Sequence, residues 1–203
     1  MPRELSLADI FQIGYYWETK ILLTAVKLDL FTPLKGEALT VHQVAEVLAL
    51  NVRVLDLVMN ALVAMRVLRK EGKHFHNTPV AERYLVQSSS EYVGHLLLLH
   101  DAEWKNWGQL EQTVRTGQSP VNQHVFETNP ELGAKVLTVL DRIGRGSGPA
   151  LAQRLQLQQA KHMLDIGGGA GTNAMAFCRE YPGLSATVFD LPQTLTVTKQ
   201  CVE

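Results

Sequence analysis

In the stretch LDIGGGAGTNAMAF, residues 164–177, an apolar run breaks into glycines and resumes in a helix-forming pattern. Asp165, Gly167, Gly169 and Gly171 are spaced D-x-G-x-G-x-G, with Gly168 between them. At the carboxyl end of a strand, glycine lets the chain turn sharply and lets a ligand approach the backbone more closely than a side chain permits. The helix that follows aims unpaired amide groups at the same spot, which suits a phosphate or a carboxylate. Two ligands fit that description: a dinucleotide, held by its pyrophosphate, or a nucleoside bearing an amino acid.

Gly169, Gly171 and Ala174 satisfy the dinucleotide spacing G-x-G-x-x-G/A, a pattern of low specificity when it stands alone. Asp165 distinguishes the two ligands. A carboxylate at this turn can receive a cationic amino group, directly or through water, as S-adenosylmethionine would present it. The ligand's own carboxylate would take the helix amides. Against pyrophosphate the same acid would sit beside like charge. The second strand ends in TVFDLP, so Asp190 lies nineteen residues beyond Gly171. That is close to the spacing of about 20 residues expected for an acid that binds two ribose hydroxyls. Both cofactors need such an acid, so Asp190 supports a nucleoside without choosing between them, and Leu191 would flank the purine. A glycine-rich turn also serves packing, and Asp190 also fits a cap on the turn before Pro192.

The elements that must position these residues read as follows. Apolar residues recur at helical spacing from Leu7 to Phe31, and the helix is apolar on more than one side, which calls for a thick core or a second subunit. Leu22 and Val26 are the positions expected at such an interface. Thr40 caps a helix over Val41 to Leu48, Asn51 caps a second over Val52 to Met65, and Val67 to Thr78 forms two short strands around KEGK. That order is a winged helix-turn-helix. A helix that reads DNA must offer side chains to phosphates and base edges, yet Arg53 and Asp56 are the charges of the second helix. A packing module is the expectation.

Tyr92 to Gly117 reads as helix, interrupted near Asp101 and closed by Gly117. Trp104 and Trp107 stand one turn apart, a spacing that usually marks core and otherwise a ligand wall. His95 and His100, five residues apart, point to different sides of a helix, so no metal pair is expected. Ser119 to Pro130 is a loop in which His124 and Phe126 are substrate-facing candidates. Glu131 to Gly144 is helical, GRGSGP interrupts it, and a shorter helix follows to about residue 157. The domain boundary is therefore placed between residues 145 and 146. Beyond it come a strand (His162 to Ile166), the glycine turn, a helix (Thr172 to Tyr181) and a strand (Ser185 to Asp190), the opening of a parallel α/β sheet.

Composition excludes several classes. The 203 residues carry 19 basic and 20 acidic side chains spread through both halves, which argues against a nucleic-acid partner. No apolar run reaches the ~20 residues that span a bilayer, and the charged N-terminus lacks the centre of a signal peptide. No membrane partner and a cytoplasmic location are expected, with Cys178 and Cys201 as free thiols.

The segment LDIGGGAGTNAMAFCREYPGLSATVFDLPQTLTVTKQ resembles the first two cofactor motifs of the small-molecule O-methyltransferases, which include acetylserotonin O-methyltransferase, plant phenolic enzymes and bacterial polyketide-tailoring enzymes. Upstream, AVKLDLF, LVAMRVL, NTPVAERYL and WKNWGQLEQTVRTG are similar to that family's N-terminal dimerisation domain. The resemblance covers nearly the whole chain. It implies a mostly α domain with a winged helix-turn-helix (residues 1–145) that builds a homodimer, followed by the start of an α/β Rossmann-like methyltransferase domain (146–203). It also implies S-adenosylmethionine as cofactor and a small-molecule hydroxyl as acceptor. Gly167, Gly168 and Gly169 would lie against the methionine part, Asp165 near its amino group and Asp190 on the ribose. The family's third strand with its acid-aromatic pair, its later basic residue and its histidine base have no counterpart in these residues, so no catalytic residue is assigned. Two other readings remain: a non-catalytic dimerisation or regulatory protein, and a family member that uses the cofactor structurally.

Overall fold

The computed structural model describes residues 4–119 and 125–202. The chain forms two compact units that divide between Asp101 and Ala102. Among the described residues no single helix is long and apolar enough to cross a membrane.

The N-terminal unit begins with α1 (Leu7–Ile13) and α2 (Tyr16–Lys27), where the sequence suggested one helix to Phe31. The break falls at Gly14, whose amide closes α1, and at Tyr15, which leaves the helical region with ψ 61°. The division matters for packing. Val26 of α2 is 3% exposed and belongs to the core of this unit, whereas α1 buries none of its residues and leaves Leu7, Ile10 and Phe11 in solvent on one face. The assignment of Val26 to a subunit interface is therefore corrected.

After a two-residue strand β1 (Leu39–Thr40) come α3 (Val41–Leu48) and α4 (Val52–Ala64), which meet at 116°. Each has the cap that the sequence supplies: Thr40 accepts from the Gln43 amide and its own amide donates to Gln43 Oε1, and Asn51 accepts from the Val54 amide. Strands β2 (Leu68–Glu71) and β3 (His74–Asn77) form an antiparallel hairpin, turned at Gly72 with φ +60°, and β1 pairs with the free side of β3. The core fills the space between α2, α4 and this ribbon with Phe31, Met59, Leu62 and Phe75. Helix α5 (Pro79–Tyr84) closes the ribbon, and α6 (Gly94–Trp107) begins in this unit. Asp101 on α6 takes Lys20 and Lys27 of α2 on its two carboxylate oxygens, at 2.6 and 2.7 Å. These two hydrogen bonds hold its carboxyl below the usual range. Helix α6 runs through Asp101, and the interruption comes instead at Gly108 and Gln109, before α7 (Leu110–Thr116) and its left-handed cap Gly117.

In the C-terminal unit, α8 (Val125–Thr128) leads to α9, which is one continuous helix from Pro130 to Leu155. The expected interruption at GRGSGP is absent. Gly144 and Gly148, one turn apart, face the next helix, α10 (Thr172–Glu180). A Cβ at Gly144 would lie 3.1 Å from Thr172 Cγ2, and one at Gly148 would lie 2.8 Å from Ala176 Cβ. These glycines, with buried Ala152 one turn further on, let the two helices approach closely. Residues that resembled a linker are a helix-packing seam. Strands β4 (His162–Ile166) and β5 (Ser185–Phe189) pair in parallel, Leu164 opposite Thr187 and Asp165 opposite Val188. Helix α11 (Pro192–Val202) follows β5. Met163, Asp165, Ala186 and Val188 point to the partly buried face of the pair, and Leu164, Ile166 and Phe189 to the exposed one.

Candidate cofactor site

The glycine turn runs from the end of β4 to the start of α10. Gly167 donates to the Phe189 carbonyl at 2.8 Å, extending the β4–β5 ladder by one bond, and Gly171 donates back to the Gly168 carbonyl at 2.9 Å. Three glycines adopt the left-handed region that side chains disfavour: Gly167 at φ +70°, Gly169 at +57° and Gly171 at +78°. Gly168 is required for another reason. A Cβ there would lie 2.8 Å from the Asp165 carboxyl and 2.9 Å from Val188, so the turn folds directly over the carboxylate. Above Gly167 nothing lies within 4 Å of a Cβ position. The turn is therefore packed against the chain beneath Gly168 and open at Gly167, as close approach of a ligand to the backbone requires.

Asp165 and Asp190 meet at this turn and differ in how they are satisfied. Asp190 Oδ2 accepts from the Gly169 amide at 2.8 Å and Oδ1 from the Leu191 amide at 2.7 Å, so it ties the end of β5 to the glycine turn. The cap on the turn before Pro192 is real. Each of its oxygens retains a second lone pair for a hydroxyl donor. Asp165 Oδ2, by contrast, is shielded from solvent and has no hydrogen-bond partner. Burial pushes the Asp165 carboxyl above its ordinary range, and the neighbouring charge of Asp190 pushes it further. An acid in that position favours a donor, above all a cationic one. Helix α10 begins at Gly171 without a side-chain cap, leaving its first amides for an external acceptor.

Side chains of α9, α10 and α11 that the sequence does not single out support the turn. Asp141 of α9 is 5% exposed, accepts from Thr172 Oγ1 at 2.7 Å, and pairs with Arg145 Nε at 2.8 Å. Thr198 of α11 donates to the Gly169 carbonyl at 2.6 Å. The i,i+4 pairing of Asp141 with Arg145 is visible in the sequence. Its bond to Thr172 and that of Thr198 to Gly169 cross about thirty residues and have no local signal.

The structure thus brings together Asp165, Gly167, Gly168, Gly169, Gly171, Asp190 and Leu191, the last with its side chain exposed. Three of the four candidate substrate residues lie within the described residues. Trp107 is 67% exposed, which removes the core reading for it, and Trp104 is less exposed on the same helix. Phe126 packs its ring on Gly133, where a Cβ would lie 2.8 Å from Cδ1. His124 lies outside the described residues. Among the described residues no group of three or more His, Cys, Asp or Glu could hold a metal ion.

Two family models match the chain: the O-methyltransferase dimerisation domain over residues 11–87, and the O-methyltransferase domain over residues 107–203. The chain belongs to the O-methyltransferase family. It is 33% identical over 192 residues to the tetracenomycin polyketide synthesis 8-O-methyl transferase TcmO of Streptomyces glaucescens, covering 91% of this chain and 57% of that protein. It is 30% identical over 186 residues to the N,N-dimethyltransferase OxyT of Streptomyces rimosus, covering 87% and 54%. The chain therefore spans little more than half the length of these methyltransferase relatives. Among solved structures, human N-acetylserotonin methyltransferase in complex with SAM shares the fold, with a TM-score of 0.73 at 23% identity, over 98% of this chain and 64% of that one.

Proposed function

We propose that the chain supplies the dimerisation module and the S-adenosylmethionine site of an enzyme that methylates a hydroxyl on an aromatic or polyketide-like small molecule. The observation that carries this reading is the Asp165 carboxylate, buried under Gly168 with one oxygen lacking a partner. A dinucleotide would set pyrophosphate beside two acids, whereas the ammonium of S-adenosylmethionine meets an acceptor that lacks a donor. Two relatives carry that chemistry in their names: TcmO is named an 8-O-methyl transferase, and a further relative a 3-hydroxy-5-methyl-1-naphthoate 3-O-methyltransferase.

When bound, S-adenosylmethionine supplies an electrophilic methyl group on its sulfonium. The chain's own residues bind and orient. Asp165 receives the amino group, the first amides of α10 receive the carboxylate, and Gly167 to Gly169 admit the methionine backbone to close range. Asp190 accepts from the ribose hydroxyls while holding Gly169 in place, and Leu191 lies against the purine. Asp141, through Thr172, fixes the start of α10 and so the direction of its amides.

The N-terminal unit is read as a winged helix used for a homodimer. Helix α1 presents an apolar face with no cover in its own unit, and α4 exposes Val54 and Leu57 where a DNA reader would need basic side chains. We place the protein in the cytoplasm, where the free thiols Cys178 and Cys201 stay reduced.

Incubation with S-adenosylmethionine labelled in its methyl group, against hydroxylated naphthoates, tests the reaction. Label on the acceptor oxygen is expected. Conversion of the acceptor with the label retained on the cofactor would overturn methyl transfer in favour of a structural role. The name of OxyT supports a second reading, in which the acceptor atom is nitrogen, and an amine in place of the hydroxyl separates the two.

A further inference from the structure

Thr198 is 6% exposed on α11, beside buried Val197. A hydroxyl in such a place costs stability unless it is bonded, and valine has nearly the same shape without that cost. Thr198 Oγ1 lies 2.6 Å from the Gly169 carbonyl and 3.1 Å from the Thr194 carbonyl of its own helix. A hydroxyl has one proton to give. The bond back to residue i−4 is open to any helical threonine, so the shorter bond to Gly169, across 29 residues, is the one that gives a threonine its use here.

That bond completes a clamp. The Gly169 amide donates to Asp190 Oδ2 at 2.8 Å while its carbonyl receives Thr198, so side chains hold both polar backbone atoms of this one glycine. Gly167 and Gly171 are held by backbone instead, through the Phe189 and Gly168 carbonyls. Gly169 needs such a hold, because a glycine at φ +57° has no side chain to restrict it and gives up more conformational freedom on ordering than any other residue. The Thr198 methyl also packs against the turn, with Cγ2 3.3 Å from where a Cβ of Gly171 would stand.

We propose that Thr198 is a positioning residue for the cofactor: its hydroxyl, acting through Gly169, presets the part of the turn that receives the methionine end of S-adenosylmethionine. This role rests on the cofactor reading above. A turn set in advance spares the ligand the cost of ordering it. The ribose end does not depend on Thr198, since Asp190 keeps its second bond, from the Leu191 amide.

Two variants separate the hydroxyl from the methyl. Thr198→Val keeps the shape and loses the donor, and Thr198→Ser keeps the donor and loses the methyl. Calorimetric titrations of the 203-residue chain with S-adenosylmethionine and with 5′-methylthioadenosine, which lacks the amino-acid end, read binding, and NMR hydrogen exchange of the ligand-free chain reads the turn itself. Thr198→Val is expected to weaken S-adenosylmethionine roughly five- to tenfold, the worth of one hydrogen bond, with 5′-methylthioadenosine held within about twofold of wild type. In the same variant the Gly169 amide should exchange faster by a similar factor, and the Gly167 amide, fixed in the strand ladder, should not change. Thr198→Ser is expected to match wild type in all of these. Equal losses for the two ligands, or a serine variant as weak as the valine one, would overturn the proposal in favour of a packing role. Unchanged Gly169 exchange in Thr198→Val would overturn it whatever the ligands do. A wild-type chain that binds neither ligand would overturn the cofactor reading and the positioning role with it, while faster Gly169 exchange in Thr198→Val would still identify the tether.

Discussion

Asp165→Asn separates stability from binding. In the free chain, Asp165 is an acid whose folded pKa is raised, first by burial and then by Asp190. Such a group contributes its stability below the unfolded pKa of about 3.9, and that contribution is lost as the pH rises through the folded value. The charged form of Asp165 is thus the disfavoured one in the folded chain, and one of its oxygens is unpartnered. Asparagine keeps the shape and removes the charge. Its amide is left without a partner at the same place, so the gain is confined to the charge that burial and Asp190 disfavour, which solvent screening at a half-buried residue holds to about 1 kcal/mol. For a chain of this size that is about 2–4 °C in Tm. The same substitution removes the acceptor for the cofactor's ammonium, a charge-assisted bond worth about 1.5–3 kcal/mol, or roughly ten- to hundredfold in Kd. Thermal melts at pH 4.5 and 7.5, with calorimetric titration of S-adenosylmethionine, read both effects. The variant should melt higher than wild type at pH 7.5, with the gap narrowing at pH 4.5, and should bind more weakly. A variant that melts no higher and binds S-adenosylmethionine as well as wild type would refute the reasoning.

Gly148→Val drives a branched side chain into Ala176, where even a Cβ would lie at 2.8 Å, and should cost about 1–3 kcal/mol by overpacking, read as a lower denaturant midpoint. If GRGSGP were a linker, the same change would leave the midpoint where it was. Asp101 has a lowered pKa from its bonds to Lys20 and Lys27, so its contribution is present above the unfolded value of about 3.9 and is lost as the pH falls through the depressed folded value. Asp101→Asn should cost about 0.5–1 kcal/mol at pH 7, since both lysines are solvent-exposed, with the difference from wild type shrinking below pH 4 in urea titrations. Ile10→Glu with Phe11→Glu charges the apolar face of α1 without touching the core of its unit. Sedimentation should show loss of the dimer with an unchanged melting profile, and a persistent dimer would move the interface away from α1.

The parts of the fold legible in the sequence are those with short-range causes. Thr40, Asn51 and Gly117 mark helix ends by local bonding, and Gly72 marks the hairpin, so those elements stand where the spacing places them. The glycine turn was legible for the same reason, because positive φ at Gly167, Gly169 and Gly171 is a local demand. What misled the reading depends on partners distant in sequence. Gly144 and Gly148 look like a break until α10 is packed against them, and Val26 looks like an interface residue until α4 and the ribbon close over it. The supports of the site lay hidden for the same reason, since Asp141 reaches Thr172 and Thr198 reaches Gly169 only through tertiary packing. Asp190 was found by its spacing, but its bond to the Gly169 amide, which makes it part of the turn's structure, was not.

The central claim is that the glycine turn with Asp165 and Asp190 selects S-adenosylmethionine over a dinucleotide. Calorimetric titration of the 203-residue chain with S-adenosylmethionine, and separately with NAD, tests it most directly. The account predicts saturable binding of S-adenosylmethionine that Asp165→Asn weakens, with no comparable heat from NAD. Binding of NAD with equal or greater affinity, or binding of S-adenosylmethionine indifferent to Asp165, would contradict it.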